Sequence, residues 1–362
     1  MDNLTPNEQM SAYRAIDAAE NRAREALRVL EDVARFAMND RHLTDRFKAL
    51  RHQLSAAVAV VPGEHRVRAR DTLADVGTSL STQSEGARRK IDDIIAANES
   101  RAAEALRSLE EWLKLISADS AAQVKQLRYL VYTLSRSMQL AIASRSRFED
   151  ARLYVLIDGR ESMSHFRRLC ESLVEAGAGV LQLRDKRLPD RELIERARAM
   201  CEIARGSQTL CMVNDRPDLA ALSGAAGVHV GQDELGVADA RRVLGPGGIV
   251  GVSTHSIEQA RQAVLDGADY IGVGPTFPSG TKQFDAFPGL PLLRAVAAEI
   301  SLPAFAIGGI TEENLDAVLE CGIVRVAVSQ AVINAPAPAA AVRRFNERLA
   351  AAAEVRRITS DK

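Results

Sequence analysis

The stretch "LYVLIDGRESM", residues 153–163, decides between two folds. Its first five residues form an apolar run of strand length, and a helix-compatible segment follows. In a doubly wound α/β sheet, the turn after such a first strand normally carries a glycine fingerprint opening the next helix. Here the turn reads Asp158-Gly159-Arg160, one glycine between two charges. The fingerprint is missing, which leaves a closed barrel as the better reading.

The rest of the second half follows the same grammar. After "RLYVLI" come "GVLQLR", "TLCMVN", "GVHVG", "GIVGVS", "YIGVG", "PAFAIGG" and "VRVAVS". Seven of these runs precede a helix-like segment, and the eighth precedes a closing segment over 334–353. Alternating strands and helices of this number predict an α/β fold, a (β/α)8 TIM barrel at the short end of its length range.

Barrels of this kind carry chemistry at the C-terminal ends of their strands. The second strand ends in Gln182, Arg184, Asp185 and Lys186, and the third in Asn214 and Asp215. His229, Gln232, Asp233 and Glu234 follow the fourth; Ser253, Thr254 and His255 close the fifth. The sixth runs into "GPTFPSGTKQFDA", which holds Ser279, Gly280, Thr281 and Lys282. The seventh ends at Gly308 and Gly309, and the eighth at Val328 and Ser329.

Alternate residues of a strand share a face, so Gln182, Arg184 and Lys186 put polar groups along one line. Arg184, Lys186 and Lys282 supply positive charge beside Asp215, Asp233 and Glu234. Cations next to carboxylates suit a magnesium-bound polyphosphate, because Mg²⁺ takes one or two carboxylates and completes its shell with phosphate and water. Glycines after the seventh strand and the turn after the eighth suit a second, single phosphate held by backbone N–H groups. Taken singly, His229 reads as a packed strand residue, Asp215 as a helix cap and Lys282 as plain surface. Together, polar groups on consecutive strand ends point to a site for two phosphorylated substrates.

Composition narrows the partners. The chain has 362 residues, 46% hydrophobic and 26% charged, with a formal net charge of −1, so no global field favours nucleic acid or a membrane surface. Four scattered cysteines without a C-x-x-C pair read as core residues of a reducing compartment. The opening "MDNLTPNEQM" lacks the features of a secretion signal, and no apolar run reaches membrane-spanning length. The expected location is the cytoplasm.

Residues 1–148 have a different character, poor in strand signals and rich in Ala, Leu, Arg and Glu. Ile16, Ala19, Ala23, Leu27, Leu30 and Ala34 form one helical stripe. "AAENRAREALRVLED" (18–32) matches "AANESRAAEALRSLEE" (96–111), pairing Arg22 with Arg101, Glu25 with Glu104, Ala26 with Ala105 and Arg28 with Arg107. Each copy precedes a further helical pattern, near 41–60 and 120–145, which predicts two helical hairpins in a pseudo-symmetric all-α bundle. A polar loop (68–90) separates the hairpins, and "SRSRFED" (144–150) reads as a charged linker to a barrel domain over 149–362.

The stretches "QLRDK", "VNDRPDLA", "GVHVGQDEL", "GVSTHS", "GPTFPSGTK", "AIGGI" and "AVS" occur in an order that resembles the thiamine-phosphate synthase family, over residues 152–345. The resemblance implies an Mg²⁺-dependent transferase that joins hydroxymethylpyrimidine diphosphate to hydroxyethylthiazole phosphate and releases pyrophosphate. It also implies the roles. Gln182, Arg184 and Lys186 hold the pyrimidine diphosphate with Asn214, Ser253 and Lys282; of these Arg184, Lys186, Ser253 and Lys282 form the catalytic set. Asp215 and Glu234 hold the metal, and Ser279, Gly280, Thr281, Gly309, Val328 and Ser329 cradle the thiazole phosphate. The family often has Gln-Glu-Asp where this chain has Gln232-Asp233-Glu234, so Glu234 takes the second ligand place by position and Asp233 is its reserve. A thiazole tautomerase of the same barrel, using a histidine at the place of His255, and a non-catalytic thiazole-phosphate sensor are the competing readings.

The first half resembles a helical domain fused ahead of some bacterial members, similar to a family that phosphorylates hydroxymethylpyrimidine phosphate. The chain has no Walker-type loop and no Gly-Lys dipeptide. Two structural readings of the repeated charges compete with a kinase: ion pairing on solvated helices, and a homodimer formed through the bundle.

Overall fold

A computed structural model describes residues 4–70, 88–278 and 287–360. The chain divides into two compact units, Met1–Gln139 and Leu140–Lys362.

In the first unit, helix α1 (Pro6–Asp32) starts at a reciprocal cap. Thr5 accepts from the Glu8 backbone N–H, Glu8 reaches back to the Thr5 N–H, and Pro6 occupies the first turn. A π-helical turn (Val33–Ala37) ends it, and α2 (Arg41–Val58) returns antiparallel beneath an Asp40 cap. After short α3 (Gly63–Ala69), α4 (Ile91–Leu113) and α5 (Ala118–Arg147) repeat the hairpin. All six residues of the predicted stripe are buried, and α1 packs chiefly on α4 through alanines that let the helices approach closely.

The repeat extends to charge. Arg51 of α2 donates to buried Glu31 at 2.7 Å, and Arg128 of α5 donates to the equivalent Glu110 at 3.2 Å. Arg28 and Arg107 approach the same two carboxylates from within their own helices. Each hairpin is thus closed by one buried carboxylate between two guanidiniums. On α3 and just after it, Arg66 and Arg70 bind Glu20 and Asp17 of α1. Most of the predicted polar loop, 71–87, lies outside the described residues.

In the second unit, eight parallel strands close on themselves in sequence order: β1 (Leu153–Ile157), β2 (Val180–Leu183), β3 (Leu210–Asn214), β4 (Gly227–Val230), β5 (Ile249–Thr254), β6 (Tyr270–Val273), β7 (Ala304–Ile307) and β8 (Val326–Val328). The intervening helices are α6 (Met163–Glu175), α7 (Asp190–Ile203), α8 (Pro217–Ser223), α9 (Val237–Leu244), α10 (Ile257–Asp266), α11 (Gly289–Glu299) and α12 (Leu315–Glu320). Short α13 (Gln330–Ile333) and long α14 (Pro338–Ser360) finish the chain. The barrel expectation therefore holds strand by strand.

Residues 144–150 are not a linker. Helix α5 runs through Arg147, and Phe148 is fully buried among Tyr154, Val180, Met212, Ile249, Tyr270 and Phe305 at the base of the barrel. Its ring centroid lies 5.1 Å from that of Tyr270 and 5.8 Å from that of Phe305. Arg325 Nη2 donates to the Phe148 carbonyl at 3.1 Å, and Ser144 Oγ to Asp269 at 3.3 Å. The charges of the segment are real, but the one aromatic among them is a plug. All four cysteines are free thiols, three of them buried, in keeping with core packing. Among the described residues no helix is long and apolar enough to cross a membrane.

Candidate active site

Above the aromatic base, the inward residues become polar. A cavity of about 850 Å³ opens at the C-terminal ends of the strands, a size suited to small-molecule substrates. Its walls include Gln182 and Arg184 from β2, Asn214 from β3, His229 from β4 and Ser253 from β5. The register sets the depth: Asn214 pairs with His229, His229 with Gly251 and Gly251 with Tyr270, while Ser253 and Gly272 pair two residues further toward the C-terminal ends. A Cβ on Gly251 would collide with the Tyr270 ring, and one on Gly272 would lie 3.3 Å from His229 Cε1. Both glycines make room for side chains inside the barrel.

Gln182, buried in the wall, donates from Nε2 to Asn214 Oδ1 at 2.8 Å. Asn214 in turn lies against Asp215, which adopts a left-handed backbone (φ 61°) tolerated by a short polar side chain. Asp215 caps nothing. Helix α8 starts without a side-chain cap, while the Asp215 N–H stays bonded to the His229 carbonyl at 2.8 Å. Its carboxylate is released toward the rim, 4.0 Å from Lys186 Nζ. Burial and then the nearby charge of Glu234 push the Asp215 carboxyl above its ordinary value, opposed by Lys186 and Arg184. The four groups therefore act on one another in one place.

Glu234 reaches that place by folding back over Gly231, where a Cβ would collide with its Oε2. Gln232, two residues before Glu234, is committed elsewhere and donates to the Ser253 carbonyl at 2.5 Å. Asp215 and Glu234, within electrostatic reach of each other, are hard oxygen donors of the kind that could hold one Mg²⁺ while its other positions go to phosphate and water. Among the described residues no group of three or more His, Cys, Asp or Glu side chains gathers in a way that could hold a metal ion.

His229 is held on both nitrogens, Nδ1 at 3.0 Å from the Tyr270 hydroxyl and Nε2 at 2.9 Å from Ser253 Oγ. Tyr270 continues to Tyr154 at 2.9 Å, hydroxyl to hydroxyl. Burial, and then the charge of Arg184, lower the imidazole to about 4, so it is neutral near pH 7. Burial also pushes both phenols up. The structure thus makes His229 the hydrogen-bonded strand residue expected from its context, and adds the tyrosines that hold it. Those tyrosines escaped notice because an aromatic within an apolar run looks like core.

The opposite wall belongs to β7 and β8. Gly308 (φ 101°) and Gly309 (φ 63°) pass beneath the loop after β6, where a Cβ on Gly309 would sit 2.7 Å from the Pro278 carbonyl oxygen. Gly309, Val328 and Ser329 all line the cavity, with Ser329 Oγ donating to the Leu156 carbonyl at 3.0 Å. His255 also lines it, with Nδ1 at 2.6 Å from the Gly274 carbonyl oxygen. Arg160 is a further rim cation that the sequence did not single out. Asp185 lines the cavity as well, but its carboxylate is committed: it accepts from the Gly159, Arg187 and Leu188 N–H groups and ties two rim loops together. Ser279, Gly280, Thr281 and Lys282 lie outside the described residues.

Residues 153–332 match the family model described as thiamine monophosphate synthase, and residues 14–137 match that of the ThiD2 family. A thiamine-phosphate synthase from Rhodopirellula baltica is 44% identical over 338 residues, covering 91% of this chain and 90% of the relative. One from Gloeobacter violaceus is 40% identical, covering 94% and 98% respectively. Among solved structures, the thiamine phosphate pyrophosphorylase from Pyrococcus furiosus superposes with a TM-score of 0.51 at 32% identity, over 56% of this chain and 97% of its own. By sequence over nearly its whole length and by the architecture of its second half, the chain belongs to the thiamine-phosphate synthase family.

Proposed function

We propose that the barrel condenses hydroxymethylpyrimidine diphosphate with hydroxyethylthiazole phosphate, giving thiamine phosphate and pyrophosphate. The observation that carries this reading is the meeting of Arg184, Lys186, Asp215 and Glu234 on one rim above a cavity with a second, glycine-built wall. Arg184 and Lys186 hold the diphosphate, with Lys282 from the loop after β6. Gln182, Asn214 and Ser253 face the pyrimidine, their amide and hydroxyl groups pre-set by Asn214, Asp215 and His229. Ser279, Gly280, Thr281, Gly309, Val328 and Ser329 take the thiazole phosphate.

In the reaction the bond from the pyrimidine methylene to the diphosphate oxygen breaks, and its electron pair leaves with the diphosphate. The methylene becomes cationic, and the thiazole nitrogen lone pair closes the new C–N bond. Charge on the departing oxygens grows along this path, so fixed cations bind the transition state more strongly than the ground state. Anchoring the thiazole by its phosphate keeps its nitrogen within reach of a short-lived cation. Mg²⁺ bound by Asp215 and Glu234 would neutralise part of the diphosphate charge. No proton needs to be removed, and a neutral His229 held by two hydroxyls is suited to orienting Ser253 rather than to acid–base work.

The unit matching the ThiD2 family completes the proposal: it phosphorylates hydroxymethylpyrimidine phosphate and so makes the diphosphate that the barrel consumes. With it goes a division of labour at 1–148 and 149–362, Phe148 itself serving the barrel. Pyrophosphate release by the whole protein, supplied with both barrel substrates and Mg²⁺, tests the central claim. Release that needs both substrates supports it. Isomerisation of the thiazole without pyrophosphate would turn the assignment to a tautomerase, and binding without either product to a sensor.

A further inference from the structure

The helical unit holds a second cavity, about 610 Å³, between α1 and α4. It is built wholly from the internal repeat. Arg22, Glu25 and Ala26 of α1 face their counterparts Arg101, Glu104 and Ala105 of α4 across it. The remaining lining residues are equivalent in rank as well: Ala19 with Asn98 and Val29 with Ser108. The pseudo-two-fold axis relating the two hairpins therefore passes through the cavity.

The charges there differ from those elsewhere in the repeat. Arg28 and Arg107 are tied to Glu31 and Asp32 and to Glu110 and Glu111, as ordinary helix-surface ion pairing predicts. Arg22 and Glu25 have the same favourable spacing, as do Arg101 and Glu104, yet among the described residues neither arginine has a carboxylate partner. Two guanidiniums with open donor forks on opposite walls form a phosphate clamp, since the fork matches phosphate oxygens two at a time.

The symmetry is broken at two paired positions, one buried and one nearer solvent. Where α1 contributes Ala19 and Val29, α4 contributes Asn98 and Ser108. Asn98 is 7% exposed and spends its Nδ2 donor on the Ile94 carbonyl at 2.8 Å, leaving Oδ1 without a partner among the described residues. One wall is thus apolar and the other offers an amide acceptor and a hydroxyl. Such a surface suits a flat heteroaromatic ring with an amino substituent rather than a bare phosphate. Glu25 adds an acceptor for the same amine, as does the Glu104 oxygen left over from its 2.7 Å bond with the Ser100 hydroxyl.

We propose that this α1/α4 cavity is the site where the helical unit holds an aminopyrimidine phosphate, with Arg22 and Arg101 on the phosphate and Asn98 on the ring. The inference rests on the kinase reading of that unit for the choice of ligand, and assigns it a location. It also makes a symmetric demand: the two arginines, far apart in sequence, serve one molecule.

The test uses the full chain and hydroxymethylpyrimidine phosphate as the probe, with binding followed by calorimetry and ADP formation followed in the presence of ATP and Mg²⁺. Arg22→Ala and Arg101→Ala should each weaken binding at least tenfold, Arg22→Lys less, and Asn98→Ala severalfold. Lys48→Ala, on the exposed face of α2, should bind as the unaltered chain does. Thermal melting of each variant guards against misfolding, and the exposed position of both arginines makes retention of the fold the expected result. Binding by both alanine variants within twofold of the unaltered chain would overturn the site, as would failure of the unaltered chain to bind the probe. If the unaltered chain binds but forms no ADP, the kinase reading falls, while loss of binding in the variants still upholds the site.

Discussion

Arg184 is the residue on which the proposed chemistry most depends. It lines the cavity, and its charge is felt by both Asp215 and His229. Arg184→Ala should lower kcat/KM by about 10²–10³, the usual loss when one group stabilising developing charge is removed. Steady-state pyrophosphate release checks this, with an unchanged melting temperature showing that the fold survives. Lys282→Ala carries the same expectation from the sequence. His229 yields a prediction about pH. Its imidazole falls from an ordinary 6.5 to about 4 in the folded chain, through burial and the Arg184 charge. The unfolded chain therefore takes up a proton first as pH falls, and stability present above pH 6.5 is lost between there and pH 4. The loss stays below about 3.4 kcal/mol, about 1.4 kcal/mol for each pH step between 6.5 and 4, because one side of the ring meets the cavity. Denaturant titrations across that range should show the slope in the unaltered protein and its reduction in His229→Asn.

At the scale of elements, periodicity and strand patterning anticipated all eight strands and both helical hairpins, because those signals depend only on neighbours a few residues apart. The end of α5 shows where that kind of signal stops. "SRSRFED" has the composition of a linker, and nothing in its own spacing distinguishes Phe148 from a solvent-exposed aromatic. Only closure of the barrel creates the aromatic base into which it fits. Phe148→Ala should therefore cost about 3–5 kcal/mol, the range for emptying a buried phenylalanine site. Chemical denaturation followed by a probe of the barrel would measure it, and a cost below 1 kcal/mol would contradict the plug.

For the whole molecule, the prediction concerns metal. Asp215 and Glu234 come from the ends of different strands, and burial and then the Glu234 charge raise the Asp215 carboxyl, an effect that a bound dication would relieve. Chelation with EDTA should abolish pyrophosphate release, and added Mg²⁺ should restore it. Mg²⁺ should also raise the thermal transition of the barrel, and Asp215→Asn should lose that stabilisation even where no turnover is followed. Insensitivity of both turnover and melting to chelation would remove the metal from the scheme.

By itself the sequence determined the two architectures, the order of strand ends, the internal repeat and the chemical type of the rim, because each is written in local patterns or in motif order. The tertiary structure decided which charges act together. It curled Glu234 over Gly231, within electrostatic reach of Asp215, and committed Asp185 to backbone N–H groups. It turned a presumed linker into the barrel's plug, and it separated the paired arginines of the repeat from those facing a cavity. These outcomes depend on distances between segments remote in sequence, where burial and charge are set by neighbours that no spacing along the chain can name.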